Sequence, residues 1–206
     1  MQSKAIVKLH DASENDHTQT VSPDLVKNRT FEKATTRFVF TMHNRSPLSF
    51  ILDGMIQDSG EIEILSRELH SSTETTESRL TIRGYKKSIG LYGVGYTLSF
   101  RILRDEVETT GYRLHIMLWI GNMRDSYFGW YISDSTNEAL TPKQWWSKAE
   151  RKSIINTMKT NATDENLNKG GGKTLLANFK ELKLEIEMLT DNENNSMPSM
   201  IIRHKE

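Results

Sequence analysis

Two runs of strictly alternating apolar residues, Val94 to Leu103 and Tyr112 to Ile120, constrain this chain more than any other feature. Val94, Tyr96, Leu98, Phe100 and Ile102 fall on one face of the first run, and Tyr112, Leu114, Ile116, Leu118 and Ile120 on one face of the second. A period of two is that of a pleated strand, so both runs are predicted strands with a buried face. The polar residues between them, Arg104 to Thr110, lead to Gly111 and make the pair a hairpin with a longer loop. Gly121-Asn122 starts the next turn, and Tyr127 to Ile132 is aromatic on both faces, which predicts a third antiparallel strand buried on both sides. Strands joined this closely form a meander and need no crossover helix.

The rest of the chain is less regular. Residues 1–36 hold one alternating patch, Ala5, Val7 and Leu9, then a polar stretch, and read as a flexible N-terminal arm with one short strand. Arg37 to His43 alternates as a strand does. Asn44 to Ser46 before Pro47 reads as a helix cap with proline at the first helical position, and Leu48, Ile51, Leu52, Met55 and Ile56 recur at helical spacing up to Gly60. Glu61 to Leu69 suits strand or helix, and Ser71 to Glu77 is a loop. Thr141-Pro142 predicts a helix over Lys143 to Lys159. Leu175 to Leu182 suits a helix that gives way to a strand over Leu182 to Met188, and Met200 to Ile202 suits an edge strand or a frayed end. The expected fold is α+β: a single domain over residues 37–206, with one antiparallel sheet of about five strands packed with two to three helices.

Bulk composition excludes several chemistries. With 27 basic and 27 acidic residues the formal net charge is zero, so no global field draws the chain to nucleic acid or an anionic membrane. The chain has no cysteine, which removes disulfides, thiolate catalysis and cysteine-ligated zinc. No apolar run has the length of a signal peptide or a bilayer span, which predicts a soluble or peripheral protein. Gly170-Gly171-Gly172-Lys173-Thr174 ends like a phosphate-binding loop, but Leu167 stands where the motif needs glycine, and the segment before it is polar. The six histidines are scattered, and His115 alternates with core residues, so it reads as a surface or satisfied histidine. Neither an enzyme nor a cofactor is expected. A small hydrolase with a discontinuous site would require convergent acids or histidines in a pocket.

Charge segregation carries the partner expectations. Asp53, Asp58, Glu61, Glu63, Glu68, Glu74 and Glu77 form an acidic block with Arg67 as its one base, and Arg79, Arg83, Lys86, Lys87, Arg101 and Arg104 form a basic block without acids. The two blocks neutralise each other within the chain, or they meet between subunits as complementary faces; the second reading assigns self-association to Asp53, Asp58, Glu61 and Glu63. The basic block is the candidate contact for phosphates of RNA or lipid. Trp145 and Trp146 beside Lys148 and Lys152 are a candidate membrane contact, with packing on the sheet as the plainer reading.

The order of elements resembles the matrix proteins of rhabdoviruses, on Arg37-Phe38-Val39-Phe40 through Gly60, Ser88-Ile89-Gly90-Leu91-Tyr92 with its long strand, His115 to Met123, and Trp130 to Ser133. The resemblance covers roughly residues 37–135. It implies a viral matrix-type structural protein that self-assembles, bridges ribonucleoprotein and envelope membrane, condenses the nucleocapsid and promotes budding. Its expected partners are copies of itself, the viral nucleocapsid and a membrane surface, with nucleic acid as a further one. Its expected places are the virion beneath the envelope, host cytoplasm, inner membrane surfaces and the nucleus. Family members dock their arm on a neighbouring subunit, and Val21, Pro23 and Leu25 are the matching positions here. The family's PPxY-type motif and basic arm have no counterpart, which fits a plant-infecting member. The alternative reading is a single-stranded RNA-binding viral accessory protein of the movement or silencing-suppressor type.

Overall fold

The computed structural model describes residues 34, 36–72, 76–86, 93–120, 126–134, 139–142, 144, 167–169, 174–189 and 195–205. The predicted meander is its centre. β6 (Val94–Arg104), β7 (Glu108–Ile120) and β8 (Ser126–Asp134) pair antiparallel, with Phe100 opposite Leu114 and Leu114 opposite Ile132. The hairpin turn is tighter than predicted: Asp105 and Glu106 take positive φ, and the Val107 amide donates to the Arg104 carbonyl. β2 (Leu48–Ser59), β4 (Glu68–Leu69) and β9 (Leu167–Lys169) complete a six-stranded sheet in the order β4-β2-β6-β7-β8-β9.

A second sheet covers the first, and this corrects the α+β expectation. It holds β1 (Arg37–Arg45), β3 (Glu61–Ile64), β5 (Ser78–Tyr85), β10 (Thr174–Phe179), β11 (Leu184–Leu189) and β13 (Ser199–His204), in the order β10-β11-β13-β1-β5-β3, with the short β12 (Asn195–Ser196) also on β1. Phe38, Phe40, Met42, Leu80, Ile82, Ile186, Met200 and Ile202 from this sheet share one core with Phe50, Tyr96, Leu98, Phe100, Ile116, Leu118 and Trp130 from the other. Burying each such side chain contributes roughly 1.5–3 kcal/mol. The described residues therefore form a β-sandwich rather than one sheet packed with helices.

Each misread helix has a local cause. Leu48 to Ile56 lies within β2, where the pairing with β6 shifts between Leu52 and Gly54. That bulge places Leu52 opposite Phe100 and Met55 opposite Leu98, so apolar residues three apart serve the same sheet and imitate a helical period. Leu175 to Leu182 is strand β10 followed by a 3-10 turn over Lys180–Leu182, closed by Lys183 in the left-handed region at φ 49. β13 is no edge strand: it lies between β11 and β1, parallel to β1, and so the sheet is mixed. At Thr141 the helix signature is present, because its amide donates to Gln144 Oε1 at 2.6 Å while its hydroxyl accepts the Gln144 amide at 3.2 Å. The rest of that predicted helix, and the arm apart from residues 34 and 36, lie outside the described residues.

The cap read at Asn44 exists for a different purpose. Asn44 is fully buried where the chain leaves one sheet for the other, its Nδ2 donating to the carbonyls of Leu48 (2.6 Å) and His70 (2.7 Å). Its Oδ1 accepts from the Ser46 amide and hydroxyl. The side chain satisfies a corner between strands, with all its hydrogen-bonding capacity used. The return crossing, from β2 to β3, turns at Gly60 with φ +85, where a Cβ would press on Val94 and the Tyr85 carbonyl.

Candidate functional site

Two constellations of polar residues stand out. The first lies on the outer face of the six-stranded sheet, where Ser99, His115 and Tyr131 occupy neighbouring strands in register. His115 is fully buried, with Ser99 Oγ 2.8 Å from Nδ1 and Ser133 Oγ 2.9 Å from Nε2, and it stacks on Tyr131 at 4.5 Å. The Leu140 amide donates to the Tyr131 hydroxyl, which brings Leu140 to this face. Burial, with the Arg113 charge second, pulls the His115 pKa down to about 4, and burial pushes the Tyr131 hydroxyl up to about 12. A serine beside a histidine suggests a nucleophile and its base, but here both ring nitrogens are occupied by serines, no carboxylate orients the ring, and Ser99 is buried. The arrangement holds three strands together, as the satisfied-histidine reading expected.

The second constellation opens to solvent at the end of the sandwich where the Asn44 corner and the β6–β7 turn lie. A cleft of about 360 Å³ is lined by Pro47 and Leu48, by Arg104 and Asp105, by Glu181, Leu182 and Lys183 of the 3-10 turn and its cap, and by His204. Its position follows from the strands: the residues at or just beyond the ends of β1, β6, β10 and β13 line it. Among the described residues Arg104 and Lys183 carry no ion pair, and neither do Asp105 and Glu181. Two cations and two anions thus share one rim without an ion pair among the described residues. Val107 stands 86% exposed at the tip of the adjacent hairpin.

Of the candidate contact residues read from the sequence, Arg104 alone joins this cleft. The acidic and basic blocks instead meet inside the chain: Glu63 lies 3.7 Å from Arg83 across the β3–β5 pair, and Asp53 lies 3.0 Å from Arg113 and 3.7 Å from Arg101. Asp58 and Glu61 are exposed around the β2–β3 turn, Arg79 is exposed on β5, and the Lys86 amide donates to the Thr36 carbonyl. Val21, Pro23, Leu25, Lys87, Trp145, Trp146, Lys148 and Lys152 lie outside the described residues. Thr174 begins a strand, so the helix that a phosphate-binding loop requires does not follow the glycines. The sequence reading did not single out Lys183, and it weighed His204 only as one of six scattered histidines. Among the described residues no group of acids, histidines or cysteines could hold a metal ion, and no helix is long and apolar enough to cross a membrane.

No family model matches the chain, and no curated protein matches it. Among solved structures, the crystal structure of the lipid binding protein Nakanori is similar, with a TM-score of 0.50 over 87% of this chain and 79% of that one, at 9% identity. At that identity the likeness is one of fold.

Proposed function

We propose that this chain is a non-enzymatic lipid-binding protein of membrane surfaces, which takes a zwitterionic headgroup into the strand-end cleft. The observation that carries the reading is the rim itself, where Arg104 and Lys183 offer donors to a phosphate and Asp105 and Glu181 offer acceptors to an amine. The sandwich interior is filled by aromatic and aliphatic side chains, so a ligand is met at the surface rather than swallowed. Asp105, Glu106 and Glu108 at the hairpin repel an anionic bilayer, which favours neutral lipids over acidic ones. The lipid-binding neighbour of similar fold agrees with this choice.

The matrix-type reading shares the membrane surface with this proposal, and its nucleocapsid partner rests on the sequence resemblance alone. The RNA-binding alternative is weakened by Arg83 and Arg101, which lie against Glu63 and Asp53.

Vesicle flotation tests the proposal. Wild-type protein is expected to float with phosphatidylcholine or phosphatidylethanolamine vesicles and less with phosphatidylserine. Arg104→Ala combined with Lys183→Gly is expected to lower binding by about tenfold or more, since charge-assisted hydrogen bonds are lost. Glycine suits the left-handed backbone at position 183, so that change removes the charge without straining the turn. Full flotation of the double variant would move the site elsewhere, and no flotation of wild type on any vesicle would end the lipid reading.

A further inference from the structure

A strand at the edge of a sheet exposes unpaired amide and carbonyl groups, and monomeric proteins guard such edges with charge, proline, bulges or shortness. Most described edges here are guarded. β3 carries Glu61 and Glu63, β4 has two residues, and β9 has three. The stretch of β2 beyond β4 holds Asp53, Asp58 and two register shifts.

β10 has no such device. Thr174-Leu175-Leu176-Ala177-Asn178-Phe179 contains neither charge nor proline, its pairing with β11 runs unbroken over all six residues, and among the described residues no other strand pairs with it. On its outward face Leu176 is 54% exposed, and Leu189, opposite Thr174 on β11, is 40% exposed.

We infer that two copies of this chain pair antiparallel along β10, joining their mixed sheets across a two-fold axis. The strand suits itself as a partner. With Leu176 opposite the second copy's Leu176, the apolar positions coincide on the axis, Asn178 stands opposite Thr174, and no charged residue of the strand meets a like charge. A ladder of six residues buries less than the about 1,200 Å² of a stable interface, so the dimer forms with rising concentration.

The geometry has a consequence for lipid binding, which rests on the reading proposed above. The cleft lies at the carboxyl end of β10, where Glu181 and Lys183 follow the strand. Antiparallel pairing therefore points the two clefts in opposite directions, and the dimer bridges two membranes.

Because the chain contains no cysteine, a single introduced thiol reports the register. Residues directly opposite in an antiparallel pair have Cα atoms about 4.5–5.5 Å apart, within disulfide reach, whereas two copies of residue 178 would be about 13 Å apart in this register. Mild oxidation is expected to link Leu176→Cys into dimers and to leave Asn178→Cys monomeric. Leu176→Lys, an exposed change, is expected to weaken the concentration-dependent rise in sedimentation coefficient about tenfold while leaving the circular dichroism unchanged. Equal cross-linking of both cysteine variants, or of neither, overturns the pairing. With the Leu176→Cys dimer formed, clustering of phosphatidylcholine vesicles supports the bridge. Vesicle binding without clustering overturns the bridge alone, and absent vesicle binding overturns the headgroup reading while the cross-linking result stands.

Discussion

Ser99 on β6 and His115 on β7 lie directly opposite one another across two neighbouring strands, with the hydroxyl oxygen 2.8 Å from Nδ1. The pair sits on the sheet face that points away from the sandwich core, yet both residues are buried. A charge on the imidazole would be both desolvated and left facing Arg113, and the next strand adds only the Ser133 hydroxyl and the Tyr131 ring.

Stability should therefore fall as pH drops towards 4. His115 has a pKa of about 4 in the folded state against 6.5 when exposed, so between these values the unfolded chain binds the extra proton. The contribution is fully present above about pH 6.5, is lost as pH falls, and levels off below 4. Its full size is on the order of 3 kcal/mol. Urea midpoints of wild type and His115→Gln between pH 4.5 and 7.5 measure it, and parallel pH profiles would show that another group is responsible.

Asn44→Ala is expected to destabilise by roughly 2–4 kcal/mol, because the Leu48 and His70 carbonyls and the Ser46 amide lose their partner inside the corner. Asn44→Asp keeps the acceptor and loses both donors, so it should be destabilising as well. Equilibrium denaturation gives both values, and a loss below about 0.5 kcal/mol for alanine would show that the corner holds by packing alone.

Gly95 is opposite Trp119 on β7, and a Cβ there would overlap the indole ring. Gly95→Ala should cost about 1–3 kcal/mol through overpacking, with the tryptophan fluorescence shifted as the indole moves. An unchanged melting temperature and spectrum would contradict this contact.

Arg101 and Arg113 stand opposite each other as like charges, bridged by Asp53. Asp53→Asn should destabilise by about 1 kcal/mol at low salt, with most of the loss recovered at high salt as the repulsion is screened. Melting curves in 20 mM and 1 M NaCl check it, and a loss insensitive to salt would indicate a packing role for the carboxylate.

The legible parts of the fold were those where one local rule acts without interruption. Val94 to Ile102 and Tyr112 to Ile120 alternate strictly because one face of each strand is buried along its whole length, and the third strand showed its double burial in Phe128, Trp130 and Tyr131. β2 was hidden by its bulge, since a single extra residue converts a period of two into apparent helical spacing. β10 was hidden because a short run such as Leu175-Leu176 satisfies either period, and its pairing with β11 decides the outcome. The candidate site was least legible. Arg104, Lys183 and His204 are far apart in the chain, and a cleft at strand ends has no local pattern.

The sequence by itself determined the central meander, the absence of thiol chemistry and the adjacency of opposite charges, because alternation, composition and order are properties of the chain alone. Tertiary structure decided that a second sheet covers the meander, that Asp53 and Glu63 lie against Arg101 and Arg83, and that Ser99 meets the outward side of His115. Those outcomes depend on which strands become neighbours. Pairing across a sheet joins residues at any separation along the chain, and no local spacing records it.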